Sequence, residues 1–201
     1  METKSAVKTP RDFYLFRDLR PGDIAIDCGA NVGLVTQQMA ARGATVYAFE
    51  PNPHAFRTLR ETFLAHPNVH CRQVAVLDRK GKARLFFHER SAEDPLHWST
   101  GSSLLEIKRN IDPKSAIEVE VIDLVTFIRD LRSPIALLKL DVEGVEAPII
   151  HRLIDTGTIE KVATIVVETH EKKIPELRPA IARLRERIAS LGLGKIHLDW
   201  Q

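Results

Sequence analysis

Five short apolar runs alternate with stretches of helical apolar spacing, and that alternation restricts the chain to helices layered on a mainly parallel sheet. The runs are IAID at 24–27, TVYAFE at 45–50, VHCRQVAV at 69–76, IALLKLD at 135–141 and VATIVVE at 162–168. Each is apolar nearly throughout rather than at every second position, as strands covered on both faces are. Segments 33–42, 53–65, 123–132, 144–156 and 176–191 carry apolar residues at i, i+3 and i+4, and these are the expected helices. Two further strand-like pieces, ARLFFHE at 83–89 and AIEVEVI at 116–122, flank the polar loop SAEDPLHWSTGSS. With 201 residues and no linker or repeat, residues 1–201 are expected to form a single Rossmann-like, doubly wound α/β domain with a substrate-side insertion at about 83–122.

Lys and Arg total 29 against 27 Asp and Glu, and the basic residues are scattered, so no nucleic-acid partner is expected. The opening METKSAVKTP lacks the apolar run of a signal peptide, and no later stretch reaches the roughly 18 apolar residues of a membrane span. The expectation is a cytoplasmic protein with no membrane partner. Cys28 and Cys71 fall in strands that a third strand should separate, which favours free thiols over a disulfide.

The sharpest local signal is Asp27-Cys28-Gly29-Ala30-Asn31-Val32-Gly33, a turn that follows a strand directly and opens a helix. Gly29 can take φ > 0 there, and Gly33 leaves room for close packing or a ligand. The helix N-terminus offers N–H groups to an anion. A dinucleotide fingerprint has glycine at its first, third and sixth positions; here these hold Gly29, Asn31 and Leu34, which weakens an NAD or FAD reading. Glu50 ends the second strand, where a carboxylate can accept hydrogen bonds from both hydroxyls of a ribose. Asp27, Glu50 and Asp141 should converge on one crevice where the strand order reverses, and the turn and Glu50 together point to a nucleoside.

LLKLDVEGVE at 137–146 is chemically odd for a central strand, because Lys139, Asp141 and Glu143 would point to one side if extended. Either Lys139 is a structural ion-pair partner of Asp27 or Glu168, or the strand end presents a carboxylate to the cleft that the lysine holds.

Five segments in order carry a resemblance: RPGDIAIDCGANVG at 20–33, YAFEPNPHAF at 47–56, AVLDRKGKARL at 75–85, LLKLDVEGVEAPII at 137–150 and VVETH at 166–170. Together, with a weaker match at STGSSL 99–104, they resemble the FkbM family of S-adenosylmethionine (SAM) dependent methyltransferases from Leu19 to His170. The resemblance implies a class I methyltransferase fold, SAM as cofactor, and usually methylation of a hydroxyl on a small metabolite. It implies that SAM is held by Asp27, Gly29, Ala30, Asn31, Val32 and Gly33, by Glu50, Pro51 and Asn52, and by Ala75. Asp27 would then meet the methionine ammonium, and the N–H groups after it the carboxylate. One departure stands out. After the helix ending near Leu191 only KIHLDWQ remains, one strand where this fold closes with an antiparallel pair. Either the last antiparallel strand is missing, or a second subunit completes the sheet edge in a homodimer.

A hydroxyl is a poor nucleophile at neutral pH, so a base within hydrogen-bond reach is needed. Asp141 is the candidate base, Lys139 orients it, and Glu143 is a further catalytic candidate. Toward a small-molecule acceptor, His97, Trp98, Ser102, Ser103, Glu168 and His170 are expected, with His97 and Trp98 equally readable as loop anchors. The acidic cluster DVEGVE has no ligand pair that decides for Mg²⁺, and the eight histidines lack zinc-type spacing, so no metal is expected. An N-methyltransferase and a SAM-binding module without turnover are the alternatives.

Overall fold

The computed structural model describes residues 16–200. In chain order they form β1 (Ile24–Cys28), α1 (Leu34–Ala40), β2 (Thr45–Phe49), α2 (Pro53–Thr62), β3 (Val69–Arg72), β4 (Ala75–Leu77), β5 (Gly81–His88), β6 (Ile111–Asp123), α3 (Leu124–Leu131), β7 (Ile135–Leu140), α4 (Glu146–Asp155), β8 (Val162–Val167), α5 (Arg178–Ser190) and β9 (Ile196–His197). Six strands make one sheet in the order β3-β2-β1-β7-β8-β9, and every pairing in it is parallel. The order reverses between β1 and β7, which puts the switch point of the doubly wound sheet there.

Successive residues of the central strands enter opposite layers, as the pleat requires. Ala25, Val46, Ala48, Leu137 and Val166 pack with Val35 and Met39 of α1 and Leu59 of α2. Their neighbours Ile26, Leu138, Leu140, Ile165 and Val167 pack with Leu124 and Ile128 of α3, Ile150 and Leu153 of α4, and Ile181 and Leu184 of α5. With both faces buried, these strands are apolar except where a polar pair is satisfied internally, as Asp27 is by Lys139. α2 starts sharply because Asn52 accepts the N–H groups of His54 and Ala55 at 2.9 and 3.4 Å, with Pro53 in the first turn.

The run at 69–76 is not one strand. β3 pairs with β2, whereas β4 pairs with β6 in a second sheet ordered β4-β6-β5. Gln73 and Val74 make the step between sheets, and Val74 N–H donates to Arg72 O at 3.1 Å. Both halves are extended and largely apolar, so periodicity alone does not separate them. KIHLDWQ supplies only the two residues of β9, parallel to β8, followed by an isolated antiparallel bridge between Glu168 and Asp199. Trp200 then turns inward, its ring 6.3 Å from that of Phe16 and 5.7 Å from Lys139 Nζ.

Cys28 lies in β1 and Cys71 in β3, with β2 between them, and both are free. Among the described residues no helix is long and apolar enough to cross a membrane. The expectation drawn from METKSAVKTP lies outside the described residues.

Candidate functional site

At the carboxyl ends of β1, β2 and β7 lies a cavity of about 640 Å³, its open mouth included. Of the residues singled out in the sequence, Gly29, Asn31, Glu50, Pro51, Ala75, Ser102, Asp141 and Glu143 line it. The second sheet adds an apolar wall through Val74, Val76 and Leu85, with Leu104 of the insertion.

Gly29 has φ +78°, and a Cβ there would stand 1.8 Å from Asp141 O. Glycine therefore lets the first turn touch the end of β7. Gly33 has φ +94°, and its Cβ would fall 2.5 Å from the Phe63 ring, so it serves packing. The turn's N–H groups are engaged within the protein: Gly29 and Ala30 donate to Phe49 O at 3.0 and 2.9 Å, Asn31 to Glu50 Oε2 at 2.7 Å, and Gly33 to Ala30 O at 2.9 Å. Gly29, Ala30 and Asn31 thus clamp the turn to the end of β2, which leaves the expected anion cradle to the N–H groups at the start of α1, where no side chain caps the helix. Ala30, Val32 and Gly33 sit behind this clamp rather than on the cavity wall.

Glu50 is the hub of the clamp. Its Oε2 accepts from Asn31 N–H and its Oε1 from Asn52 N–H at 2.8 Å. Each oxygen keeps a further lone pair for a donor in the cavity. Burial pushes its carboxyl up to about 7, against the pull of those two N–H groups. Asn31 (φ 49°) and Glu143 (φ 57°) are non-glycine residues in the left-handed region, and both line the cavity. Backbone held there costs free energy and is characteristic of functional loops.

Asp27 does not line the cavity. It is fully buried, accepts from Thr36 Oγ1 at 2.6 Å, and pairs with Lys139 Nζ at 3.1 Å. The register explains this, because Asp27 and Lys139 are direct partners across the β1–β7 ladder. Lys139 also donates to Gly29 O at 2.6 Å and stands 3.4 Å from Asp141 Oδ2. Lys139 is thus a structural partner of Asp27 that also stands beside Asp141 at the cavity. Burial would lower its pKa, but Asp27 and Asp141 outweigh that and keep it raised and charged.

β7 stops at Leu140, so Glu143 lies in the turn before α4 rather than on an extended strand. It pairs at 2.7 Å with Lys108, a nearly sealed lysine that also donates to Gly101 O at 2.8 Å. Burial raises the Glu143 pKa, opposed by Lys108 and His170. His170 is fully buried beside Asp141, Glu143, Glu146 and Glu168. Burial would lower its pKa, yet Glu146, Glu143 and Asp141 push it up to about 9. Thr36, Lys108 and Glu146 were not singled out in the sequence. Thr36 and Glu146 look like ordinary helix residues there, and Lys108 sits in a polar stretch without periodicity.

The insertion is tied down by serines. Asn31 Nδ2 donates to Ser99 Oγ and Asn52 Nδ2 to Ser102 Oγ, both at 2.9 Å, while Ser103 Oγ donates to Glu143 O at 2.9 Å. The helical turn His97–Gly101 faces His97 and Trp98 away from the cavity. Trp98 stacks on His88 at 4.3 Å, with the Arg90 guanidinium 4.4 Å from its ring, and anchors the loop.

A model of the methyltransferase FkbM domain matches residues 27–193. Over 177 residues the chain is 28% identical to 31-O-demethyl-FK506 methyltransferase FkbM of Streptomyces tacrolimicus, covering 77% of this chain and 68% of that protein. The crystal structure of methyltransferase FkbM from Methylobacillus flagellatus KT shares the fold, with TM-score 0.50 and 13% identity, over 87% of this chain but only 42% of that one. A 55-residue stretch is 36% identical to ribosomal RNA small subunit methyltransferase A of Thermotoga neapolitana, covering 27% of this chain and 21% of that protein. Ribosomal RNA methylases also occur among more loosely similar solved structures. The stretch shared with the Thermotoga neapolitana ribosomal RNA methyltransferase corrects the expected exclusion of nucleic acid, because scattered Lys and Arg do not tell an RNA acceptor from a small one. The family match runs from Asp27 in the first turn to beyond α5, across the cavity-bearing ends of β1, β2 and β7, and the chain belongs to the FkbM methyltransferase domain family.

Proposed function

We propose that this chain transfers a methyl group from SAM to a hydroxyl oxygen of a small metabolite. One observation carries the proposal: Glu50 and Asp141, at the ends of strands on either side of the switch point, line one cavity with an apolar wall. Glu50 suits a ribose diol, since each of its oxygens retains acceptor capacity. Val74, Val76 and Leu85 suit the flat apolar faces of an adenine. The residues present thus fit the nucleoside half of the cofactor, while its amino-acid half must be held by something other than the engaged N–H groups of the turn. The FK506 relationship in the curated relative's name supports oxygen as the acceptor atom.

SAM, when bound, supplies an electrophilic methyl carbon. Asp141 receives the proton that the acceptor hydroxyl must lose, with its other oxygen fixed by Lys139. Lys139 and the carbonyls of Cys28 and Gly29 hold β1 and β7 together beneath that oxygen. The insertion, tied at Ser99 and Ser102, limits water at the cavity mouth.

Calorimetry with S-adenosylhomocysteine, followed by transfer of labelled methyl from SAM to panels of hydroxyl compounds, amines and ribosomal RNA, tests the proposal. Binding with label on a small hydroxyl compound is the expected result. No binding at about 1 mM would remove the cofactor from the reading. Label on amines or RNA alone would replace the acceptor.

A further inference from the structure

Asp141, Glu168 and His170 each bring one donor atom within 4.8 Å of the others, where the chain leaves β7 and β8. A cluster of carboxylates alone says little, but the histidine says more. His170 is 0% exposed; its Nδ1 stands 2.9 Å from Glu146 Oε1, but its Nε2 has no hydrogen-bond partner of acceptable geometry among the described residues. Buried polar atoms are almost always satisfied, so an exception calls for a missing partner. Nε2 is aimed into the cluster, 3.4 Å from Glu143 Oε2, 3.6 Å from Asp141 Oδ1 and 3.9 Å from Glu168 Oε1. A proton on Nε2 would serve one acceptor along one axis. Here three carboxylates lie 3.4–3.9 Å away and Nε2 makes no hydrogen bond to any of them, which suits a spherical charge better.

We propose that Asp141, Glu168 and His170 form a binding site for one divalent first-row transition ion, of the manganese, cobalt or zinc kind. A mixed imidazole and carboxylate set favours these over Mg²⁺ or Ca²⁺, which take oxygen donors. Donors about 2.1 Å from a common ion stand roughly 3.0–3.4 Å apart, and the donor atoms here, 3.6 and 3.9 Å from Nε2 and all within 4.8 Å of one another, must draw together to close on an ion. The surroundings fit a ligand histidine. Nδ1 stands 2.9 Å from Glu146 Oε1, a sealed carboxylate fixed by the N–H groups of Val142 and Gly144 at 3.1 Å. A carboxylate on the far nitrogen is the usual device for aiming a metal-binding imidazole.

The neighbouring cations sort the ligands. Lys139 stands beside Asp141 Oδ2, on the far side from the Oδ1 that faces His170. Lys108 holds Glu143, which stays outside the ligand set. Lys173 lies 3.1 Å from Glu168 Oε1 with more than half of its side chain exposed, so it can swing away as an ion enters. Asp141 also lines the cavity, and an acceptor oxygen drawn to the ion would become more acidic and share the work assigned to that carboxylate. The site goes beyond the methyl-transfer reading and does not depend on it.

The test titrates Mn²⁺, followed by paramagnetic resonance, and Zn²⁺, followed by calorimetry, into chelator-treated full-length protein. One ion per chain is expected. Glu168→Gln and His170→Gln should each weaken binding by at least about tenfold. Lys173→Met should tighten it by about two- to fivefold through loss of a competing charge. Co²⁺ absorption in the visible should report nitrogen and oxygen donors and lose its nitrogen character in His170→Gln. Circular dichroism and S-adenosylhomocysteine binding of each variant separate loss of ligand from loss of fold, with Glu168→Gln the milder change. No saturable binding of Mn²⁺, Co²⁺ or Zn²⁺ by about 1 mM would overturn the site, as would binding that both ligand variants leave intact. Either result would mean that His170 is a buried imidazolium among carboxylates. S-adenosylhomocysteine binding in the same sample reports on the methyl-transfer reading alone, so the two can fail separately.

Discussion

Lys139 Nζ lies 3.1 Å from Asp27 Oδ1, and the two side chains are 2% and 0% exposed. This pair, set by strand register, carries Lys139 to Asp141 and to the carbonyls of the first turn. Breaking one partner of a buried pair leaves the other uncompensated, at a typical cost of about 3–5 kcal/mol. Lys139→Met should therefore lower the unfolding free energy by about that amount, and Lys139→Met with Asp27→Asn should recover much of it. Urea unfolding of the two single variants and the double variant makes the comparison; a double-variant loss equal to the sum of the two single losses would show that the pair is not coupled.

Glu50 supplies a pH signature. Its carboxyl is raised from 4.5 to about 7 in the folded chain, so the fold holds the proton more tightly than the unfolded chain. The associated stability is fully present below about pH 4.5 and is lost as pH rises toward 7, on the order of 3 kcal/mol in total. Wild type minus Glu50→Gln, measured by urea unfolding from pH 4.5 to 7.5, should show that decline. A flat difference would mean that the proton is not held.

The same group gives the opposite trend in ligand affinity. A ribose diol donates to the carboxylate form, so S-adenosylhomocysteine should bind more tightly as pH rises from about 6 to 8, and Glu50→Gln should lose about 10- to 100-fold with a flat pH profile. Calorimetry across that range is the measurement. Equal affinity of wild type and variant would place the ribose elsewhere.

Asp141→Asn should lower turnover by about 10²–10⁴-fold while keeping S-adenosylhomocysteine affinity within about threefold. Turnover close to wild type would remove Asp141 from the chemistry.

Gly29→Ala and Gly22→Ala make a matched pair, with φ of +78° and +89°. Both pay the left-handed strain of about 1–2 kcal/mol. Only Gly29 has a neighbour in the way, Asp141 O at 1.8 Å, whereas nothing lies within 4 Å of a Cβ at Gly22. Gly29→Ala should melt well below Gly22→Ala and lose cofactor binding. Equal melting temperatures would show that the turn and the end of β7 separate easily.

Much of this arrangement is legible in the residues. The apolar runs mark the parallel strands because burial on both faces leaves few polar positions, and Gly29 marks the tight turn because only glycine fits φ near +80° beside Asp141. Glu50 is legible because it ends the strand that follows the glycine turn, where a carboxylate can accept from a ribose. Three features are not. The division of 69–76 between two sheets depends on which partner each half finds, β2 or β6, and no local pattern encodes that. The retreat of Asp27 from the cavity depends on cross-strand register with Lys139. The clustering of Asp141, Glu168 and His170 depends on β7 and β8 ending side by side, although these residues lie far apart in the chain.

Ser99 and Ser102 fasten the insertion to Asn31 and Asn52 through one neutral hydrogen bond each. A net worth of about 1 kcal/mol per bond means that both break together in roughly a few per cent of molecules at any moment. That edge can thus loosen by thermal agitation alone while Ser103 and Lys108 keep the loop pinned at Glu143. Because the fasteners grip the loops on either side of Glu50, whatever settles against that carboxylate also adjusts how firmly the door is shut.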